Sequence, residues 1–242
     1  MYKGNSLVII PSYNESENII EIINDITKQK ESFNVLIVDD NSPDKTYELV
    51  EEEIIKKPKR VFLIRRKKKL GLGTAYIEGF KWAIDNGYER IFEMDADYSH
   101  DPKDLSRMNV FLDNDGYDVV IGSRYISGVN VVNWPIQRVL LSYFASIYAR
   151  LITGVPLRDL TSGFVGYKVS VLKSVLKENV RFNGYAFQIE MKFKAYSKGF
   201  KIIEIPIIFT DRTKGESKMS LSIVWEAVFG LLLLKIKQLF KF

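Results

Sequence analysis

The chain has 242 residues, 46% hydrophobic and 27% charged, which suits one α/β domain with a full core. It has no cysteine, so a disulfide framework and a thiolate metal site are excluded. Thirty-five basic and 30 acidic residues give a net charge of +5, a modest excess that favours anionic partners. The densest basic cluster is Arg65-Arg-Lys-Lys-Lys69, and its bland reading is a solvated strand-to-helix loop. Aromatic residues are not interleaved with it in the pattern of a nucleic-acid module, so no nucleic-acid partner is expected.

The first half alternates short apolar runs with helical patterns. Leu7-Val-Ile-Ile10 reads as a strand that starts soon after the N-terminus, with no secretory leader expected before it. Residues 15–30 place Ile19, Ile22, Ile23 and Ile26 on one helical face. Val35-Leu-Ile-Val38 is a second strand, and Ser42-Pro43 starts a helix with proline at its first position. Val61-Phe-Leu-Ile64 is a third strand, followed by a helix over 74–86 that stops at Gly87. Residues 90–94 form a fourth strand, and a helix begins at Pro102. Such repeated strand–helix units predict a mostly parallel central sheet flanked by helices. The order then loosens: strands are expected at 117–121, 164–167 and 202–209, with an amphipathic helix over 138–153.

Asp95-Ala-Asp97 stands at the end of the fourth strand. In an open α/β sheet, ligands bind beyond the carboxyl ends of the strands. Extended spacing i, i+2 turns both side chains to one face. Two convergent hard oxygen anions suit Mg²⁺ or Mn²⁺, and such a metal commonly carries a diphosphate. The bland alternative is an Asp-rich surface turn. Asp39 and Asp40 end the second strand and can accept hydrogen bonds from a base or ribose, while Tyr13 offers an aromatic face. A helix cap at Asn14 or Ser42 is the bland alternative there, and capping and binding can coexist. Gly71-Leu-Gly73 opens a helix, where a structural turn is favoured over a phosphate cradle.

Taken in order, the motifs Pro11-Ser-Tyr-Asn-Glu15, Val38-Asp-Asp-Asn-Ser-Pro-Asp44, Gly71-Leu-Gly73, Met94-Asp-Ala-Asp-Tyr-Ser-His100, Gly122-Ser-Arg-Tyr125, Asp159-Leu-Thr-Ser-Gly-Phe164, Gly184-Tyr-Ala-Phe-Gln-Ile-Glu190, Pro206-Ile-Ile-Phe-Thr-Asp-Arg212 and Gly215-Glu-Ser-Lys218 resemble the family 2 inverting glycosyltransferases of GT-A type. Within that family the pattern is similar to the dolichol- or polyprenol-phosphate mannosyltransferases, over about residues 6–220. The resemblance implies a metal-dependent transfer of mannose from GDP-mannose to a polyprenyl phosphate. It implies that Pro11, Tyr13, Glu15, Val38 and Asp40 hold the guanosine. Asp95, Ala96 and Asp97 then sit at the ribose, metal and diphosphate, with Asp95 and Asp97 as ligands of Mg²⁺ or Mn²⁺. Arg212 and Lys218 close over the diphosphate as a lid, and Arg124, Arg138 and Ser142 receive the lipid phosphate. Asp97, Arg124 and Arg138 carry the catalysis. Where the family has a further glutamine ligand, this chain has Ser99, which leaves Ser99 or a water as the alternatives for that place. His100, the one histidine of the chain, is expected to bond structurally rather than to move protons.

A catalytic unit over 1–219 and an amphipathic C-terminal helix over 220–242 are expected. The apolar run 223–234 spans about 18 Å as a helix, against about 30 Å of bilayer core. Glu226 interrupts it, and Lys235, Lys237 and Lys241 follow, a pattern for lying at an interface; packing into the core is the bland alternative. With the 138–153 helix this predicts a peripheral or monotopic protein at the cytoplasmic face of a membrane, with or without a small membrane subunit. Competing readings are a family 2 enzyme using a UDP-sugar, and a membrane-surface binding protein of the same fold without turnover. A nucleotidyltransferase is disfavoured because its Gly-rich, Lys-containing amino-terminal loop is missing.

Overall fold

A computed structural model describes residues 6–113 and 116–211, together with Gly230, Leu231 and Lys235. The elements in chain order are β1 (Ser6–Ser12), α1 (Ile19–Thr27), β2 (Asn34–Asp39), α2 (Thr46–Lys56), β3 (Val61–Arg65), α3 (Leu72–Asp85), β4 (Arg90–Glu93) and α4 (Asp104–Asp113). They continue with β5 (Val119–Ser123), β6 (Val131–Val132), α5 (Ile136–Thr153), β7 (Val165–Lys168), α6 (Val169–Val175), α7 (Tyr185–Ser197), β8 (Ile202–Pro206) and β9 (Phe209–Thr210). The main sheet has the order β3-β2-β1-β4-β7-β5-β8. Among these strands β7 runs antiparallel to both neighbours, and the others share one direction. The carboxyl ends of β1, β2, β3, β4, β5 and β8 therefore meet along a single edge. A second, two-stranded sheet pairs β6 with β9 in parallel.

Both faces of the sheet are covered. Leu7, Ile9, Leu36 and Val38 point to a core shared with α3, α6 and α7. Val8, Ile10, Val35 and Ile37, one residue out of phase, pack against α1 and α4. That alternation is the period-2 strand pattern with both sides buried, as a doubly wound sheet requires. The four isoleucines of α1 are all fully buried. Helix α3 lies close on β1 because residue 79 is glycine: a Cβ there would sit 2.8 Å from Ile9 Cγ2.

Several boundaries differ from expectation, each for a local reason. Helix α1 starts at Ile19, not residue 15, because residues 14–16 are tied to the β2–α2 loop. Helix α2 starts at Thr46 rather than Pro43. Its first turn is capped by the Asp44 carboxylate, which accepts from Thr46 N at 3.0 Å and Thr46 Oγ1 at 2.6 Å. Helix α4 starts at Asp104, after a turn in which Asp101 Oδ1 accepts from Lys103 N at 2.9 Å. The expected strand at 202–209 divides at Pro206, which has no N–H to extend the ladder, and its tail becomes β9. Helices α6 and α7 are additional to the expected elements: α6 is short, with Val171, Leu172 and Val175 on its buried face. Positions 186–195 are buried throughout, so α7 has no polar face to reveal a 3.6-residue period.

Candidate active site

One side of the site is built by the β1, β2 and β3 ends. Pro11 and Val38 are paired in register within the sheet. Beyond them, two loops are stitched together: Asn14 N donates to Ser42 Oγ at 3.1 Å and Glu15 N to Thr46 Oγ1 at 3.0 Å. Asn14 adopts a left-handed φ of 57° at this crossing. Asp39 is internal and structural, accepting from Ser12 Oγ at 2.8 Å and Ser42 N at 2.9 Å. Asp40 is different. It is nearly buried and faces Arg66 Nη1 at 2.8 Å. Burial raises its pKa, and the Arg66 charge only partly opposes the rise. Arg66 is held from α3, donating to Thr74 Oγ1 at 2.6 Å and lying 3.3 Å from Glu78 Oε2. Lys69 places its ammonium 4.3 Å from the centre of the Tyr13 ring. The basic run is therefore not simply a solvated loop: Arg66 turns inward and Lys69 covers the expected base-stacking residue. The Gly71–Gly73 turn is structural, since Gly73 N already donates to Asn183 O at 2.9 Å.

The middle of the crevice is the turn after β4. Asp95 and Asp97 are half-buried and Ala96 is buried between them. Asp97 Oδ1 accepts from Ser99 N at 3.1 Å, and Tyr98 takes a left-handed φ of 59°. His100 closes the turn. Its Nδ1 accepts from Asp95 N at 3.3 Å, its ring stacks on Phe164 at 4.8 Å, and Phe209 meets it edge-on at 5.3 Å. Burial pushes its pKa down to about 4, so at neutral pH it is uncharged, and the accepting Nδ1 puts the proton on Nε2. That is the structural role expected of it. Among the described residues, no group of three His, Cys, Asp or Glu side chains could hold a metal. The turn offers two half-buried carboxylates, Asp95 and Asp97, as candidate metal donors. This fits Mg²⁺ or Mn²⁺ completed by diphosphate oxygens and water, not a closed zinc cage. Ser99 Oγ is buried and has no hydrogen-bond partner among the described residues.

The third part follows β5. Arg124 donates from its backbone N and Nε to Asp159 Oδ2 at 2.9 and 2.8 Å. Its Nη2 donates to Asp159 Oδ1 and to Thr161 Oγ1, both at 2.7 Å. Asp159 is fully buried, which works to raise its pKa, but the charge and hydrogen bonds of Arg124 prevail and hold it below the usual carboxylate range. Arg138 pairs with Asp211 Oδ1 at 2.7 Å and lies 4.1 Å from the Trp134 ring centre. Trp134 also faces the Arg124 guanidinium at 5.7 Å. Tyr125 OH donates to Ser142 Oγ at 2.7 Å. The fold thus gathers Arg124, Arg138 and Ser142 around Tyr125 and Trp134, although Arg124 and Ser142 are 18 positions apart in the chain. Arg212 and Lys218 lie outside the described residues, as does most of the expected C-terminal helix. Sequence reasoning missed Arg66, Lys69, Trp134 and Asp211, and assigned Asp159 no role. For Asp159 and Asp211 the signal was their place in the Asp159–Phe164 and Pro206–Arg212 motifs; Trp134 stands out by nothing but its contacts.

Beside this arginine pair, α5 exposes a run of apolar side chains: Ile136 at 68%, Phe144 at 59% and Leu151 at 74% exposure, with Leu140 and Leu141 between them. Among the described residues, no helix is long and apolar enough to cross a membrane.

A crevice on the carboxyl edge of a mostly parallel sheet, ending in an Asp-x-Asp turn, is the GT-A arrangement of nucleotide-sugar transferases. The described fold is similar to a mannosyltransferase from Pyrobaculum calidifontis, solved in complex with GDP-Man and Mn²⁺. That match has a TM-score of 0.60 at 17% identity, over 90% of this chain and 59% of that one. It is also similar to glucosyl-3-phosphoglycerate synthase from Mycobacterium tuberculosis with Mn²⁺ and UDP-glucose, with a TM-score of 0.67 at 17% identity, over 95% of this chain and 78% of that one. The sequence pattern named glycosyl transferase family 2 matches residues 7–176, and the chain belongs to that family. It is 44% identical to the polyprenol monophosphomannose synthase of Mycolicibacterium smegmatis over 224 residues, 93% of this chain and 84% of the relative. It is 40% identical to the undecaprenyl-phosphate mannosyltransferase of Micrococcus luteus over 222 residues, 92% of this chain and 90% of the relative.

Proposed function

We propose that the protein transfers mannose from GDP-mannose to a polyprenyl phosphate with inversion, giving a β-linked polyprenyl-phosphate mannose. One observation carries this reading. Arg124 and Arg138 both face Trp134 next to the exposed apolar face of α5, so two cations adjoin a surface suited to lipid. The names of the 44% and 40% identical relatives support mannose transfer to a polyprenyl phosphate, and the GDP-Man held by the Pyrobaculum calidifontis mannosyltransferase supports the donor.

Asp40, set beside Arg66, accepts hydrogen bonds from the guanine, and Tyr13 stacks on it. Asp95 and Asp97 hold Mg²⁺ or Mn²⁺, which when bound acts as a Lewis acid and offsets charge on the diphosphate. Arg212 and Lys218 add cationic cover on that side. On the other side Arg124 and Arg138 hold the acceptor phosphate, a task to which a planar guanidinium fork is suited, and Ser142 adds a hydroxyl. A phosphate monoester has its second pKa at about 6, so the acceptor arrives largely as a dianion and needs no proton-abstracting residue. His100, neutral and bonded to Asp95 N, is consistent with that economy. The chain's work is to hold two anions in line, by positioning and electrostatics. With α5 laid on the cytoplasmic face of a membrane, the lipid tail stays in the bilayer while its phosphate reaches the arginines. A small membrane subunit could dock on the same face, and co-purification separates that case from direct lipid contact.

The test is incubation with radiolabelled GDP-mannose, polyprenyl phosphate in detergent, and Mg²⁺ or Mn²⁺. An organic-extractable mannolipid is expected; its absence from active preparations sinks the proposal. Thermal stabilisation by UDP in place of GDP would transfer the protein to the UDP-sugar enzymes. Asp97→Ala is expected to abolish turnover. Arg138→Ala should raise the KM for the lipid while leaving GDP affinity in place, and an equal loss of both would refute the acceptor assignment.

A further inference from the structure

Behind the crevice runs a buried polar chain that the proposed chemistry does not use. Lys192, on α7, is fully buried, and so is Glu93, the last residue of β4. Gln188 lies between them. Its Oε1 accepts from Lys192 Nζ at 3.2 Å, and its Nε2 donates to Glu93 Oε2. The ammonium also donates to Ser162 O at 2.7 Å and to Gln188 O at 3.2 Å. Burying a lysine costs heavily unless every donor is met, and here its three bonds end on one loop and one helix turn.

The loop it grips, residues 159–164, touches both halves of the site. Asp159 and Thr161 hold Arg124, and Thr161 Oγ1 lies 3.2 Å from Ser146 Oγ on α5. Phe164 stacks on His100, which accepts from Asp95 N. Gly163 passes between Gln188 and His100: a Cβ there would lie 3.9 Å from Gln188 Nε2 and from His100 Cε1. Ser162 Oγ donates to Gly122 O at 2.6 Å, fastening the same loop to β5.

We infer that Lys192 and Gln188 are positioning residues which fix the 159–164 loop against β4, and so set the spacing between the Asp95–Asp97 turn and Arg124. The assignment rests on the proposed function in taking Arg124 as an acceptor residue. Neither residue touches substrate; both act through the loop. A core of the same shape without the charges would hold the fold but leave the loop carbonyl unclamped.

Lys192→Met removes the clamp but strands Glu93, so it is paired with the double variant Glu93→Gln/Lys192→Met, which removes both charges of that pair. In the double variant, Tm is expected near the wild-type value, and metal-free GDP affinity by calorimetry should be unchanged. Amide exchange across residues 159–164 should be faster, and kcat for mannolipid formation lower by about 10²-fold, the scale of an ångström misplacement. Wild-type exchange protection in the 159–164 loop of the double variant, or turnover that recovers in step with Tm, would overturn the inference. A wild-type protein that makes no mannolipid would sink the proposed function instead. The exchange measurement then decides the loop clamp by itself.

Discussion

Asp40 and Arg66, 26 positions apart in the chain, form a nearly buried ion pair where the proposed function sets the guanine. The carboxylate was legible as a strand-end acceptor, whereas the arginine was hidden in a basic run that looked like solvated loop. Arg66→Met should weaken GDP binding by about tenfold or more, because a charged hydrogen-bonding arrangement loses its counterion, and calorimetry with GDP measures it. Asp159 and Arg124 make a second buried pair. The folded pKa of Asp159 lies below its ordinary 3.8, so the unfolded chain binds the proton more readily. Its contribution is complete above the ordinary value and is lost as pH falls through the folded one. Asp159→Asn should therefore destabilise the protein by about 3–5 kcal/mol at neutral pH, since Arg124 is left buried without its partner. The gap to wild type should narrow below pH 3.8 in denaturant titrations.

At the scale of elements, α5 does two things at once. Its inner side supplies Arg138 and Ser142 to the crevice, and its outer side shows Ile136, Phe144 and Leu151 to solvent. The amphipathic pattern was legible in the sequence; which face the tertiary structure would leave bare was not. Phe144→Ser/Leu151→Ser should cut binding to anionic lipid vesicles by about tenfold or more, from the apolar area removed, with no change in GDP affinity. Flotation with vesicles reads the first and calorimetry the second; undiminished flotation would remove α5 from the membrane surface. Helix α7 shows the opposite behaviour. It is buried on every side and carries Gln188, Glu190, Lys192 and Lys194 inside, so it has neither an apolar stripe nor a polar one. A reading based on period has nothing to detect in such a segment.

At the scale of the whole molecule, the sheet decides what meets what. The parallel strands bring six carboxyl ends to one edge, and β7 runs in antiparallel between β4 and β5. That insertion puts the 159–164 loop, which precedes β7, at the same edge as Asp95 and Arg124. Core packing then holds the layers: at Gly79, where α3 crosses β1, Gly79→Val should cost about 1–3 kcal/mol through overpacking against Ile9. For a chain of this size each kcal/mol lowers Tm by about 2–4 °C, which a thermal melt resolves.

The sequence by itself determined the α/β class, the strand ends that carry Asp40, Asp95 and Asp97, and the family to which the chain belongs. These follow from local patterns: apolar runs of strand length, turn residues after them, and motifs whose spacing survives without contacts. Only the tertiary structure decided that Arg66 turns inward to Asp40, that Asp159 holds Arg124, that Trp134 lies beside both Arg124 and Arg138, and that Lys192 is buried behind the crevice. A charged side chain reads the same in sequence whether solvated or enclosed. Its partner, distant in the chain, is chosen by how the strands are ordered and how closely the helices pack on them.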